Sequence, residues 1–247
     1  MGATGSNKSG KSNSVMALQD GNATITLDSP LVYSDTKQAM SSSAGKQIMS
    51  FENKHVDSKR EHSILIMDDG TVIENNTGGK SSVKASTQAR MKADILSHNH
   101  PNPIEGALGG TFSSADLNNF VNFNQHMYRA SSKEGTYVIT VDTDDPSYTR
   151  TRALNLVADY QKLEKQQNRN FKKLQKQWKQ ETSQALSDIY SDQTLSSSEM
   201  SKRSKAANKS FMDKQIKEAN RQLVEAHNWL VQNANKYGFH YGLERRT

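Results

Sequence analysis

The chain has 247 residues, a hydrophobic content of 33% and a mean hydropathy of −0.84, which are low values for a uniformly compact globule. It contains no cysteine, so disulfides, cysteine–zinc sites and a cysteine nucleophile are excluded. There is no apolar run of about 18 residues and no apolar N-terminal signal region, which predicts a cytoplasmic protein without a membrane span.

The formal net charge of +6 is distributed unevenly along the chain. Residues 150–247 contain 19 Lys and Arg but 10 Asp and Glu, a balance of +9, whereas residues 1–149 have a balance of −3. A basic helical segment can bind nucleic acid, but it is more often a solvated face or a docking surface. Because basic and acidic residues are interspersed, we favour a solvated face that docks a protein partner over a nucleic-acid surface.

Residues 1–45 are rich in Ser, Gly, Lys and Asn, which predicts a flexible lead-in with one short strand at Ala23–Leu27. Gly5–Ser12 matches the phosphate-binding P-loop pattern. A P-loop must follow a buried strand, and only four residues precede this match. We therefore interpret the match as chance.

Residues 46–150 alternate apolar runs with turn signals, which predicts strands and helices in one domain of the α/β (α+β) class. Its first half contains a short amphipathic helix at residues 46–60 and a hairpin, followed by a loop at Asn75–Lys80 and an edge strand at Ser81–Val83. The hairpin consists of the strand Glu61–Met67, the turn Asp68–Gly70 and the return strand Thr71–Ile73. Its second half contains a buried strand at Ala93–His98, a flexible insertion at Gly106–Thr111, a helix capped by Ser113 and a strand at Tyr137–Val141.

Residues 151–247 change in composition to Lys, Gln, Asn, Ala and Leu, which predicts a separate helical extension. One helix is expected from Arg152 to Tyr190, followed by a turn at Ser191–Ser198. The second helix carries apolar residues at 4-3-4-3-4 spacing, which predicts a packing seam and an antiparallel hairpin: Met212, Ile216, Ala219, Leu223, Ala226 and Leu230. The aromatic tail that ends at Tyr241 is expected to dock back onto the protein.

His98 and His100 end the buried strand and are separated by one residue. Alternate residues of an extended segment point to the same side, so the two imidazoles can face one metal ion. Asp116 follows in the first turn of the next helix. Two histidines and a carboxylate with an open fourth position are a ligand set of catalytic zinc, so we expect a Zn²⁺ cofactor.

Two further residues fit hydrolysis by a zinc-bound water. Glu61, at the start of a strand that can pair near the histidines, is the expected general base, with Glu52 and Glu74 as weaker candidates. Ser113 is a candidate donor to the oxyanion, although an N-cap role would equally explain it. His62 points to the opposite face from Glu61 in a regular strand, which favours a structural role.

Glu61, His98-Asn99-His100 and Ser113-Ser114-Ala115-Asp116 together resemble the signature of the JAB/MPN (JAMM) zinc metalloproteases. The residues around the histidines are similar to those of the RadC-like branch. Other segments are similar to JAB domains of phage head-morphogenesis proteins and bacterial toxins: Asp68–Gly70, Gly109–Ser113 and Gly135–Tyr137. Twelve residues, Pro101–Phe112, separate the second histidine from the serine, instead of the usual seven, and we expect them to form a loop at the cleft mouth.

The resemblance covers residues 45–145 and implies a mixed-sheet, cytidine deaminase-like fold that hydrolyses peptide or isopeptide bonds. The substrate would be a protein or peptide, such as a ubiquitin-like or phage structural protein. The resemblance places the chain in a bacterial or phage-infected cell, in a virion or in a delivered toxin. Two alternatives stay open: a non-catalytic JAB-fold interaction module of a phage head or toxin system, and a RadC-like protein that acts on nucleic acid.

Overall fold

A computed structural model describes residues 31, 34, 39–101, 104–123, 125–141 and 148–245. The strand predicted at residues 23–27 and the P-loop match lie outside this part of the chain. Helices and strands follow in the order α1 (Ser42–His55), β1 (His62–Ile66), β2 (Val72–Thr77), α2 (Thr87–Lys92), β3 (Ile95–Asn99), α3 (Ser114–Asn122), β4 (Met127–Ser131), β5 (Thr136–Val141), α4 (Arg150–Ser191), α5 (Ser197–Asn233), a 3₁₀ turn (Ala234–Tyr237) and β6 (Phe239–Glu244).

The six strands form one sheet in the order β2-β1-β3-β4-β5-β6. Strands β3 and β4 are parallel, and all other neighbouring pairs are antiparallel. This confirms the predicted mixed α/β class with a mixed sheet and a long helical region. A parallel pair requires a crossover connection, and α3 lies in the connection between β3 and β4.

Each face of the sheet is covered by helices, because apolar side chains alternate between the two sides of the strands. Helix α1 covers one face through Ile48 and Phe51, which pack in a small core with Ile64, Ile95 and Val138. Helices α3, α4 and α5 cover the other face. Their larger core includes Leu96, Leu117, Tyr128, Tyr160, Leu230 and Leu243. The histidines of the predicted site lie at the edge of this larger core.

Helices α4 and α5 form the predicted hairpin, and successive contacts show that they are antiparallel. Gln167 bonds to Gln222, and Gln175 bonds to Gln215 at 3.0 Å. The larger core takes side chains from α4 only up to Leu163 and from α5 only from Leu223 onward, among the described residues. The near half of the hairpin therefore packs on the sheet, and the far half packs helix against helix. Neither helix is apolar enough to cross a membrane, and no other helix in the described ranges is.

The aromatic tail docks on the sheet as strand β6, which pairs with β5 from Val141–Phe239 to Thr136–Glu244. The chain beyond residue 150 thus supplies one edge of the sheet as well as the hairpin. The predicted helix bounds, Arg152–Tyr190, differ from those of α4 by two residues at one end and one at the other.

Several local predictions in residues 71–131 are wrong. Ser81–Val83 is not a strand, and β2 extends through Asn75 to Thr77, where a loop was expected, because pairing with β1 overrides low intrinsic strand propensity. Helix α2 and strand β4 were not predicted. Strand β4 has Arg129 at its centre, which breaks the apolar pattern of a buried strand.

Candidate metal centre

Strand β3 brings His98 and His100 to the edge of the larger core. The ring of His98 lies 5.3 Å from that of Tyr128 on β4, and its side chain is 4% exposed. His100 follows the last residue of β3, and its side chain is 13% exposed. The Nε2 atoms of the two imidazoles are 2.7 Å apart. The alternation of an extended chain therefore does place both rings on one side.

Asp116 reaches the histidines from the first turn of α3. Ser113 is the N-cap of this helix, and its hydroxyl accepts a hydrogen bond from the Asp116 amide at 3.1 Å. In return, Asp116 Oδ2 accepts bonds from the Ser113 amide at 2.8 Å and from its hydroxyl at 2.6 Å. This capping box holds the carboxylate with Oδ1 3.4 Å from His98 Nε2 and Oδ2 3.6 Å from His100 Nε2.

The three side chains could hold one metal ion. One ligand atom from each lies within 4.8 Å of the others. Ligands about 2.0–2.1 Å from a tetrahedral zinc ion are separated by about 3.3 Å, close to both distances from Asp116 to the imidazoles. The separation of the two imidazole nitrogens is shorter, 2.7 Å, because here they contact each other directly. The donor set and its spacing therefore fit zinc after a small separation of the rings.

The Nδ1 atoms of the two histidines, which point away from the cluster, have different surroundings. His100 Nδ1 lies 2.9 Å from the Gly110 carbonyl, to which it can donate, and this directs the lone pair of Nε2 toward the cluster. His98 Nδ1 is buried and has no hydrogen-bond partner among the described residues. A carbonyl that fixes the ring orientation is the usual second contact of a metal-binding histidine, and His100 has it.

The charges of the cluster favour a cation. Burial alone would raise the pKa of Asp116, but the nearby His98 and His100 hold it well below the ordinary value of an aspartate. Burial lowers the pKa of His100, yet its interaction with Asp116 and the Gly110 carbonyl outweighs this and raises it overall. An ionised carboxylate is thus maintained beside two imidazoles in a largely buried position.

Glu61 precedes β1 and borders the same cavity, which has a volume of about 380 Å³. Burial raises the pKa of the Glu61 carboxyl, although His100 and His98 oppose the shift and the Val83 amide donates a hydrogen bond to it. The other candidate bases lie elsewhere. Glu52 of α1 is buried and accepts a hydrogen bond from Arg129, and Glu74 accepts hydrogen bonds from Ser86.

His62 lies on the opposite face from the cavity, as its position next to Glu61 predicts. Its ring stacks on His55 at 3.9 Å between centroids and contacts the hydroxyls of Ser58 and Thr77. These contacts are those of a structural residue.

The insertion between His100 and Ser113 is attached to both the sheet and the hairpin. The Leu108 amide donates to Asn220 of α5 at 2.8 Å, and the Gly109 amide donates to Glu134 at 2.9 Å. The Tyr160 hydroxyl of α4 donates to the Phe112 carbonyl at 2.7 Å. Because Gly110 of this loop also contacts His100, the hairpin supports the candidate metal centre indirectly.

Sequence reasoning did not identify two residues that line the cavity. Tyr128 lies on β4, which was not predicted, and burial raises the pKa of its hydroxyl well above the ordinary value. Arg90 on α2 adds a cation to the wall, and its guanidinium also lies 5.3 Å from the Phe123 ring. The short apolar pair Met127-Tyr128 was the available signal for Tyr128, and none marks Arg90.

Comparisons of the chain with protein-family models, curated proteins and solved structures find no match. Inference about function therefore has to come from the residues of the site and their geometry.

Proposed function

We propose that this chain is a zinc-dependent peptidase or isopeptidase of the JAB/MPN type, with His98, His100 and Asp116 as the zinc ligands. One observation carries the proposal: these three side chains meet at a cavity that Glu61 also borders. Two histidines and one carboxylate leave a fourth position open, as in catalytic zinc sites.

Zinc bound at this cluster would supply a Lewis acid and a water whose pKa is lowered to about 7. Glu61 is suited to accept the proton of that water, because it borders the cavity without being part of the ligand cluster. Its raised pKa brings it closer to the range in which a carboxylate can both accept and return a proton near neutral pH.

Ser113 has a positioning role that can coexist with a catalytic one. Its amide and hydroxyl hold Asp116 in place through the capping box. To donate to an oxyanion, the hydroxyl has to turn away from Asp116 toward the cavity, which Ser113 also lines. We assign Ser113 first to the orientation of Asp116 and second to the oxyanion.

The resemblance implies a protein or peptide substrate, with ubiquitin-like and phage structural proteins as examples. The site follows the carboxyl end of β3, next to its crossover to β4, where ligands commonly bind in α/β sheets. A closed cleft or a Glu61 turned away from the histidines would favour the non-catalytic interaction module. Glu61 instead borders the cavity together with the histidines, which supports the proposed peptidase over the interaction module.

Zinc content and cleavage test the proposal together. The purified chain is expected to contain one zinc per molecule by elemental analysis and to cleave members of a fluorogenic peptide and isopeptide library, with loss of cleavage after chelation. His98→Ala should lose the zinc, whereas His62→Ala, which changes a histidine on the opposite face, should retain it. Absence of stoichiometric zinc from the unaltered chain, or equal zinc in both variants, would contradict the proposal.

A further inference from the structure

One face of α4 carries a continuous row of basic side chains, which we call the basic stripe. Its members alternate in spacing between three and four residues: Lys162, Lys165, Arg169, Lys172, Lys176 and Lys179. At about 100° per residue they fall within an arc of about 120°, and at 1.5 Å per residue they extend over about 26 Å. All six are exposed.

The basic stripe faces away from the rest of the protein. Most half-buried and buried residues of the same stretch of α4 lie on the opposite side of the helix, with Glu164 and Gln175 at the margin: Leu163, Gln167, Phe171, Leu174 and Trp178. That side packs against α5, where Gln167 and Gln175 bond to Gln222 and Gln215. The six cations are therefore presented to solvent from a helix that is supported along its length.

Beyond its near end, the basic stripe is not neutralised by neighbouring acids. No Asp or Glu occurs between Lys165 and Gln180. At its near end Lys162 pairs with Asp159 at 2.7 Å, and the other five have no ion pair among the described residues. Asp159 and Glu164 lie at the near end of the basic stripe, where Glu164 accepts a hydrogen bond from the Ser114 amide at 2.9 Å. All other acidic residues of the C-terminal region follow Gln180. Like charges at three- and four-residue spacing destabilise a helix, so its stability does not explain the arrangement.

We infer that the basic stripe binds double-stranded DNA through the phosphate backbone, without reading base sequence. Duplex DNA carries one negative charge per about 1.7 Å of its axis, which complements a straight row of cations. Polar side chains that can donate to phosphate oxygens flank the basic stripe, namely Gln161, Gln166, Asn168 and Gln180. This inference does not depend on the metal centre or on hydrolysis.

Other polyanions fit the basic stripe less well. Binding of single-stranded nucleic acid relies on exposed aromatic side chains. Phe171 and Trp178 instead lie on the side of α4 that packs on α5, with their ring centroids 6.4 Å apart. A membrane-surface helix needs an accessible apolar face, and here that face packs on α5. The major groove of B-form DNA is about 12 Å wide and admits a helix between its two phosphate backbones. The major groove of A-form RNA is deep and narrow and does not.

Fluorescence anisotropy with a labelled duplex of mixed sequence, about 30 base pairs long, tests the inference on the full chain at about 0.05–0.2 M salt. With six phosphate contacts, the logarithm of the binding constant should fall with the logarithm of salt at a slope of about −5. The variant Lys165→Gln/Arg169→Gln/Lys172→Gln/Lys176→Gln should reduce that slope by about 3–4 and weaken binding at least about tenfold at the lowest salt. Glutamine preserves helix propensity, and these side chains are exposed.

A matched control removes the same charge from the sheet domain. Lys46→Gln/Lys59→Gln/Lys84→Gln/Lys92→Gln changes four exposed lysines outside the hairpin and should keep the slope. If the stripe variant loses helicity by circular dichroism, Lys172→Gln/Lys176→Gln should still reduce the slope by about 2. The inference is overturned if the unaltered chain does not bind the duplex at about 0.05 M salt, or if the control loses as much affinity. It is also overturned if duplex RNA or vesicles of anionic lipid bind more tightly than the DNA.

Discussion

At the scale of single residues, a buried ion cluster explains why Arg129 is tolerated at the centre of strand β4. Its Nε donates to Glu52 of α1 at 2.8 Å, and its Nη2 donates to Glu244 of β6 at 2.9 Å. Arg129 Nη2 also donates to Glu52 at 3.4 Å, as do the hydroxyls of Ser97 at 2.9 Å and Thr136 at 3.0 Å. The cluster links α1, the centre of the sheet and its C-terminal edge, so each charge depends on residues far apart in the chain.

Removing the central cation should cost far more stability than removing one of its partners. Arg129→Met leaves two buried carboxylates without their counter-ion, and breaking such a pair costs about 3–5 kcal/mol. Glu52→Gln retains the pair between Arg129 and Glu244, and should cost about 1–2 kcal/mol. Urea unfolding monitored by circular dichroism measures both values. Equal losses would mean that the two ion pairs do not share Arg129 in the folded protein.

Glu61→Gln should separate catalysis from metal binding. We expect unchanged zinc content, because Glu61 lies outside the ligand cluster, and a loss of about 10²–10⁴-fold in kcat/KM for a cleaved peptide. Glu74→Gln is the control, since Glu74 bonds to Ser86 and is not among the residues that line the cavity. Loss of zinc from Glu61→Gln, or full activity, would assign Glu61 to another role.

The carboxyl of Glu61 also predicts how kcat/KM depends on pH. A general base acts in its ionised form, so kcat/KM should rise as pH increases through the pKa of Glu61. Burial raises that pKa, and the rise should therefore occur above the pH at which an ordinary glutamate ionises. A pH–rate profile of the unaltered chain should show this limb, and the residual activity of Glu61→Gln should lack it.

At the scale of elements, the loop after His100 depends on a close approach of its backbone to the turn between strands β4 and β5. A Cβ added at Gly109 would lie 2.5 Å from the Ser132 Cβ and 3.1 Å from Glu134 Oε2. Side chains larger than hydrogen are therefore excluded there unless the loop moves. The loop would take with it the Gly110 carbonyl, which contacts His100.

Gly109→Ala should weaken zinc binding about 10–100-fold, the range typical when a second contact of a metal-binding histidine is lost. Gly110→Ala is the matched control, because its added Cβ would meet His100 Nδ1 at 3.5 Å, an ordinary contact distance. Competition with a chromophoric chelator measures both affinities. A similar loss in the two variants would show that the loop position does not control the metal centre.

The sequence predicts those elements whose signals are local. Ser113 and Asp116 lie three residues apart in one helical turn, and this spacing alone predicts the capping box that they form. The support of the loop is not predictable in this way, because Leu108 bonds to Asn220 at a separation of 112 residues. Strand β4 was not predicted for a related reason. An arginine usually lies at the surface, and the two carboxylates that allow Arg129 to be buried, Glu52 and Glu244, are distant in sequence.

At the scale of the whole molecule, the larger core extends across residue 150, where the composition changes. Ala153, Leu156 and Tyr160 of α4 pack with Leu117 and Phe120 of α3 in the same core. Strand β6 then completes the sheet beside β5. The C-terminal region is thus part of the folding unit that holds the candidate metal centre, and only the far half of the hairpin lies outside it.

Two shortened chains should behave in opposite ways. A chain that ends at residue 149 loses several fully buried core side chains, among them Leu156, Leu230, Phe239 and Leu243. Their burial is worth about 6–12 kcal/mol, which is comparable with the whole stability of a typical domain, so we expect no cooperative unfolding transition and no zinc binding. Replacing residues 176–214 by a short turn, next to the contact of Gln175 with Gln215, removes no residue of the larger core. That chain should melt cooperatively in circular dichroism and retain its zinc, whereas folding of the first chain alone would show that residues 46–150 form an autonomous domain.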